Sequence, residues 1–289
     1  MPDWSLIIPQ LEAAGVAVSG DHPPTPVGGG DISAAWRMAA DGGDVFIKTG
    51  PLSVADMFLA EAEGLAEISR TATVRVPDVI ATGHSEDAAF LALEWLAFES
   101  SGAAVERQFG EQLAQMHRVS KDRYGWHRDN TIGLNQQHNV ATDDWLEFFR
   151  ERRLRFQLQL AADNGFGGEL QERGALLLKR MPIYFDRDDP EASLLHGDLW
   201  GGNWGCSAGA PVVFDPAVYY GDRETDLAMT RLFGGFGADF YDAYEASWPL
   251  APGHRERMVL YQLYHVLNHL NLFGSAYLGR AFGLIDKLL

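Results

Sequence analysis

The stretch Leu195-His196-Gly197-Asp198-Leu199-Trp200-Gly201-Gly202-Asn203 constrains this chain more than any other. It sets an acid and an amide five residues apart in a glycine-rich loop, and a second acid, Asp215, closes the apolar run Val212-Val213-Phe214 twelve residues after Asn203. An isolated His-Gly-Asp is an ordinary polar turn. The spacing here says more. A loop acid, an amide one bend away and an acid at the end of a buried strand supply two hard oxygen donors for a divalent cation. They also supply one carboxylate able to orient or deprotonate a hydroxyl, which completes the set that phosphoryl transfer from a nucleotide requires. Asp198 suits the base; Asn203 and Asp215 suit the cation.

The separation of Asp198 and Asn203 matches the catalytic loop of protein kinases, with Asp215 at the place of that template's metal-binding acid. The amino-terminal region should then bind nucleotide. Val27-Gly28-Gly29-Gly30-Asp31-Ile32-Ser33 reads as a glycine loop between two strands, where a backbone without side chains can approach phosphate. No Gly-Lys-Ser/Thr follows, so this is not a Walker motif. The turn Asp41-Gly42-Gly43-Asp44 leads into the strand Val45-Phe46-Ile47-Lys48, which places an ammonium at its end. Ser53 is expected to cap a helix running to about Ser69 with the apolar stripe Val54, Phe58, Leu65 and Ile68. Glu61 falls on that stripe and should point inward. A buried carboxylate needs a partner, and Lys48 is the nearest candidate. Residues 76–83 and 89–96 read as two further strands, which completes a five-stranded antiparallel sheet with one main helix. Glu94-Trp95-Leu96 is expected to be the crossing to a second domain, with backbone groups of Glu94 and Leu96 available to an adenine edge. The expected domains are 1–95, a nucleotide-binding lobe, and 96–289, a mostly helical catalytic and substrate-binding lobe.

From Ser100 the periodicity turns helical. Val105, Phe109, Leu113 and Met116 form a stripe ending near His117, read as a core histidine. Residues 143–162 and 168–181 read as two more helices, with Arg150, Arg152, Arg153 and Arg155 as a charged face. Gly125-Trp126-His127-Arg128-Asp129-Asn130-Thr131-Ile132-Gly133 is polar and bounded by glycines, the character of a specificity loop. Asp222, Glu224 and Asp226 precede an apolar run and read as helix-start acids complementing the dipole rather than as a metal site. Tyr261, Tyr264, His265, Asn268 and His269 recur at helical spacings on helices expected to back the catalytic loop. His265 and His269 lack the intervening Glu and third ligand of a zinc site.

With 289 residues, 46% of them apolar, the chain can bury a sizeable core in about two domains. No stretch approaches the ~20 apolar residues of a membrane span, and Met1-Pro2-Asp3-Trp4 lacks a basic, apolar leader, so a soluble protein of the cytoplasm is expected. The single cysteine, Cys206, excludes an internal disulfide and is expected to be a small loop residue. A formal charge of −17 argues against a nucleic-acid binder and is compatible with a cationic substrate.

The sequence resembles the fructosamine kinase family. The resemblance is carried by Gly28-Gly29-Gly30-Asp31-Ile32-Ser33, Phe46-Ile47-Lys48, Met57 through Leu65 with Glu61, Val74-Arg75-Val76-Pro77, Asp129-Asn130-Thr131-Ile132-Gly133, His196 through Asn203 and Phe214-Asp215-Pro216-Ala217. His-Gly-Asp-Leu alone would indicate the wider group that includes aminoglycoside and choline kinases; the following Trp200 and the upstream Asp129–Gly133 narrow it. The resemblance implies an α+β, two-lobed protein-kinase-like fold and ATP-dependent phosphorylation of a sugar hydroxyl on a ketosamine such as a fructosamine or ribulosamine, free or protein-linked, a step of deglycation. It implies Asp198 as base, Asn203 and Asp215 as Mg2+ ligands, and Lys48 with Glu61 on the nucleotide phosphates. Two positions depart from the family pattern: Asn135-Gln136-Gln137-His138-Asn139 replaces a proline-containing run, and Gly201 replaces the more usual serine. The alternatives are a kinase of another small amine and a nucleotide-binding pseudokinase. Gly197 stands where regulated protein kinases carry an arginine that pairs with a phosphorylated activation segment, so switching by phosphorylation is not expected.

Overall fold

The computed structural model describes residues 2–19, 23–28, 33–185 and 189–289. They form two compact units, one of residues 1–101 with 205–215 and one of residues 102–204 with 216–289. Residues 205–215, within the range expected for the second lobe, thus pack with the first.

In the first unit, helix α1 (Trp4–Ala13) starts at Asp3, whose carboxylate accepts from Ser5 N at 3.0 Å. Strands β1 (Thr25–Val27), β2 (Ala34–Met38) and β3 (Val45–Pro51), helix α2 (Ala55–Ser69), and strands β4 (Val79–His84), β5 (Ala88–Glu94) and β6 (Phe98–Glu99) follow. The sheet runs β1-β2-β3-β5-β4, and all its neighbours are antiparallel, as expected. Alternation along β3 sends Val45 and Ile47 into a core with Ile7, Leu11, Trp36, Met38, Phe90 and Ala92. It sends Lys48 to the other face, where α2 lies. Phe58, Leu65 and Ile68 of α2 are buried as their spacing predicts. Ser53 does not cap this helix: a 3-10 turn over Leu52–Val54 leads into it, and Val54, at the N-cap position, makes no side-chain capping bond.

The second unit comprises α3 (Ala103–His117), β7 (Ser120–Lys121), β8 (Asn130–Ile132), β9 (Asn135–Gln137), α4 (Trp145–Phe148), α5 (Phe156–Asp163), α6 (Glu169–Arg180) and β10 (Ala192–Leu195). The chain next forms β11 (Trp204–Ser207) and β12 (Ala210–Val213). The order β12-β11-β6, with Cys206 opposite Glu99, together with the bond from Val213 N to Arg75 O at 2.9 Å, draws 205–215 into the first unit. Cys206 is therefore a buried strand residue, its Sγ 3.5 Å from Glu99 Oε1, and not a loop residue. The second unit resumes with β13 (Tyr219–Gly221), α7 (Glu224–Thr230), α8 (Ala238–Ser247), α9 (His254–Phe273) and α10 (Leu278–Leu288).

Helix α3 lies so close to α8 that a Cβ on Gly110 would stand 2.2 Å from Phe240 O. Between α4 and α5 the helix expected over 143–162 passes through a π-helical segment, Phe149–Arg155. This segment corrects the reading of its arginines as one charged face. Arg153 is fully buried, stacked over Tyr219 and Phe148 and donating to His138 O and Asn139 Oδ1. Of the acids expected at a helix start, Glu224 and Asp226 lie in the first turn of α7, and they and Asp222 are buried. Glu224 meets Arg257 of α9 through two bonds of 2.8 Å. Among the described residues no helix is long and apolar enough to cross a membrane.

His265 is buried in α9, and its Nδ1 has no hydrogen-bond partner. Burial, with His269 adding, pushes its pKa from 6.5 down to about 3. An unfolded histidine takes up its proton near pH 6.5, so between there and about pH 3 the unfolded chain binds the extra proton. Stability is therefore full above that window and falls as the pH drops through it, by up to about 1.4 kcal/mol per pH unit from this group. His265→Leu should flatten the pH dependence of the urea midpoint below pH ~6.5; unchanged steepness would remove His265 from this role.

Candidate active site

In the first unit Lys48, Glu61 and Asp215 come together. Lys48 Nζ lies 2.7 Å from Glu61 Oε1 and 2.7 Å from Asp215 Oδ1. The inward position that the helix period assigns to Glu61 is what makes this cluster possible. Burial opposes the lysine's charge, but Asp215 and then Glu61 overcome it and raise its pKa, so the ammonium stays protonated. Burial pushes the Glu61 carboxyl up to about 7, with Lys48 pulling it down and Asp215 up. Asp215 has φ +58, a left-handed conformation uncommon outside glycine. Its side chain is 43% exposed.

Other expected nucleotide contacts differ in what surrounds them. Gly28 is exposed and Ser33 half-buried, while Gly29 and Gly30 lie outside the described residues. The Glu94 carboxylate accepts from Arg75 and from Asp78 N at 3.3 Å, and its own N–H donates to Asp78 O at 2.9 Å. The acid thus ties the end of β5 to the segment before β4. Leu96 follows, half-buried.

The second unit builds the Asp198 loop. After β10 the chain turns at Gly197, with φ +83, and a Cβ there would lie 2.0 Å from Ala217 O. No side chain fits, least of all an arginine. Ala217 N donates to His196 O at 2.8 Å from the other side. The buried Asp226 carboxylate accepts from His196 N at 2.7 Å, Gly197 N at 2.9 Å and His117 Nε2 at 3.1 Å. Burial would raise the Asp226 pKa, but the bonds and charges of His117, His196 and Gly197 prevail and lower it. Because a carboxylate only accepts, His117 carries its proton on Nε2, and its Nδ1 accepts the Tyr244 hydroxyl at 2.8 Å. Asn203 Nδ2 donates to Asp198 O at 2.9 Å and to Asp198 Oδ2 at 3.3 Å. With its nitrogen so committed, the Asn203 oxygen is the atom left for a cation.

The expected specificity loop leaves His127 exposed but is anchored at its end. Asn130 and Ile132 are buried on β8, which pairs with β9 across Gly133. Asn130 Nδ2 donates to Val218 O at 2.9 Å and Gln137 Nε2 to Ala217 O at 3.0 Å. Asn139 and the Tyr264 hydroxyl complete the network, and Arg153 holds Asn139. These residues and Asp226 clamp the chain just after Asp215 and before Asp198, a role not read from the sequence. The available signal was the wealth of amides after Gly133, too many for a solvated turn to need.

The described residues contain no group of three His, Cys, Asp or Glu side chains that could hold a metal ion by themselves. Mg2+ takes one or two protein oxygens and completes its shell with phosphate and water, and Asp215 in the first unit and Asn203 in the second each carry an oxygen of that kind. A lysine clamped between two acids, and an acid-amide loop braced from beneath, define the class of protein-kinase-like phosphotransferases. The sequence model of the fructosamine kinase family matches residues 4–289, and the chain belongs to that family. It is 41% identical to a Synechocystis protein described as a probable ketoamine kinase, over 91% of this chain and 89% of that protein. It is 39% identical to a chloroplastic protein-ribulosamine 3-kinase of Arabidopsis thaliana, over 91% and 81%. A crystal structure described as a putative fructosamine-3-kinase of Haemophilus somnus superposes with TM-score 0.91 at 31% identity, covering 99% of this chain and 97% of the other. An aminoglycoside phosphotransferase shares the fold, with TM-score 0.65 at 16% identity over 99% and 98%.

Gly197→Ala should cost more than about 3 kcal/mol in urea unfolding, because strain and a backbone clash combine. Gly209→Ala, at φ +72 with open space around it, should cost only about 1 kcal/mol. Equal losses would mean that the Ala217 contact does not matter.

Proposed function

We propose that this chain transfers the γ-phosphoryl group of ATP to a sugar hydroxyl of a ketosamine, free or protein-linked. The observation that carries the reading is Lys48 held between Glu61 and Asp215 in a chain that matches the fructosamine kinase family over residues 4–289. Gly28, Gly29, Gly30 and Ser33 approach the nucleotide phosphates, Lys48 neutralises them while Glu61 fixes its ammonium, and the backbone of Glu94 and Leu96 borders the adenine. Asn203, through its side-chain oxygen, and Asp215 would hold Mg2+, which would supply charge neutralisation at the transferring group.

Asp198 orients the acceptor hydroxyl and takes its proton as the oxygen–phosphorus bond forms and the bond to the ADP oxygen breaks. Positioning and electrostatics dominate the rate enhancement. With Gly197 allowing no arginine before Asp198, phosphorylation has no partner there through which to switch the loop. The acidic surface favours a protonated amine on the acceptor over a polyanion. We place the activity in the cytoplasm, where the unpaired Cys206 stays reduced.

An ATP-consumption assay over ribulosamines, fructosamines, aminoglycosides and choline tests the acceptor class. Ketosamines should be the substrates; turnover of choline or an aminoglycoside alone would move the chain to the neighbouring group, and none at all would favour a pseudokinase. Asp198→Asn should keep nucleotide binding and lose about 100-fold or more in kcat. Asp215→Ala should instead weaken Mg-nucleotide binding. Unchanged turnover in Asp198→Asn would remove that residue from the role of base.

A further inference from the structure

The Asp198 loop carries a large ring that the chemistry above does not use. Trp200 folds its indole across Gly202, where a Cβ would fall 2.3 Å from the ring, yet the residue stays 40% exposed. From it a run of partly exposed rings leads outward. Phe233 stands edge-on to Trp200 at 6.3 Å, and His269 lies 4.7 Å from Phe233. Tyr277 and Phe273 lie 5.1 and 5.5 Å from His269. Phe273 is 48% exposed. Apolar surface of this kind, continuous with a catalytic loop, marks a place where a ligand is received.

The strip is held in position on every side. A Cβ on Gly201 would meet Gly234 O at 2.9 Å and Gly235 Cα at 3.1 Å, so the absence of a side chain at 201 lets the Phe233 loop close on Trp200. A serine at 201 would push that loop away. The Arg280 guanidinium covers one face of Phe233 at 5.3 Å and donates to Leu232 O. His269 Nδ1 donates to His265 O at 2.8 Å, which fixes the ring plane. Gly274, at φ +84, ends α9 and lets the turn Ser275–Tyr277 fold Tyr277 back onto His269.

We propose that Phe233, His269, Tyr277 and Phe273 form the subsite for the substituent on the acceptor's nitrogen, and so determine which amines are accepted. The proposal rests on the ketosamine reading above. In a ketosamine the nitrogen sits on the carbon beside the carbonyl, so its substituent trails away from the hydroxyl presented to Asp198. An open strip of rings suits a threadlike apolar stem, such as the methylenes of a lysine, and ring faces tolerate the ammonium at its end. Small amines gain nothing from it.

The test compares two ketosamines of the same sugar, one on the side chain of lysine in a short peptide and one on glycine, with wild type, Phe233→Ala, Tyr277→Ala and the surface variant Phe273→Ser. In the variants KM for the lysine-linked acceptor should rise about tenfold. KM for the glycine-linked acceptor, KM for ATP and kcat should stay within about twofold of wild type. Equal effects on both acceptors, or none on either, overturn the proposal while leaving the ketosamine reading intact. A strip that seats a second copy of the chain would leave both KM values alone and change the sedimentation coefficient in Phe273→Ser, which also overturns it. If wild type phosphorylates neither ketosamine, the acceptor reading falls and the subsite with it.

Discussion

The buried carboxylate of Asp226 organises the second unit. It receives the backbone N–H groups of His196 and Gly197 and the Nε2–H of His117, so an ionised group is kept away from water by donors from two other elements. An acid buried this deeply would be costly alone; three charge-assisted hydrogen bonds offset that cost. The consequence is directional. The chain leaving β10 can satisfy Asp226 only if both amides point at it, and this orients the turn that presents Asp198. Gly197 is the residue that permits it, because the same turn brings Ala217 O into the space a Cβ would occupy.

The first unit solves a different electrostatic problem. One ammonium, Lys48, serves two acids, one brought by a helix and one by the end of a strand remote in sequence. Glu61 is more deeply buried than Asp215. The left-handed backbone of Asp215 is the kind of local strain that a surrounding structure must hold in place. Two and three residues further on, Gln137 and Asn130 hold the Ala217 and Val218 carbonyls. Arg153 supports that network through Asn139, with its charge against aromatic faces.

The fold was largely legible where a period or a turn carries the information. The five-stranded sheet, the stripe of α2 and the inward Glu61 follow from alternation and helical spacing, and so does the burial of Phe109, Leu113 and Met116 in α3. The misreadings have a common origin. Ser53 has the chemistry of a cap, but the chain enters α2 through a 3-10 turn that needs none. Arg153 sits among three other arginines, and only the π-helical segment turns it away from them into the interior. Cys206 follows a glycine-rich loop, yet pairing with Glu99 makes its segment a strand.

Local order in the chain determined which residue types were available and how they were spaced: an acid and an amide within one loop, an acid closing a strand, a glutamate on the buried stripe of a helix. Those are consequences of backbone periodicity and turn chemistry, which act over a few residues. Tertiary structure alone decided which polar groups would meet across long separations, as in Lys48 with Asp215, Asp226 with Gly197, and Gln137 with Ala217. The physical reason is that a buried donor or acceptor must find a partner somewhere, and only packing determines which of the chain's many polar groups is within reach.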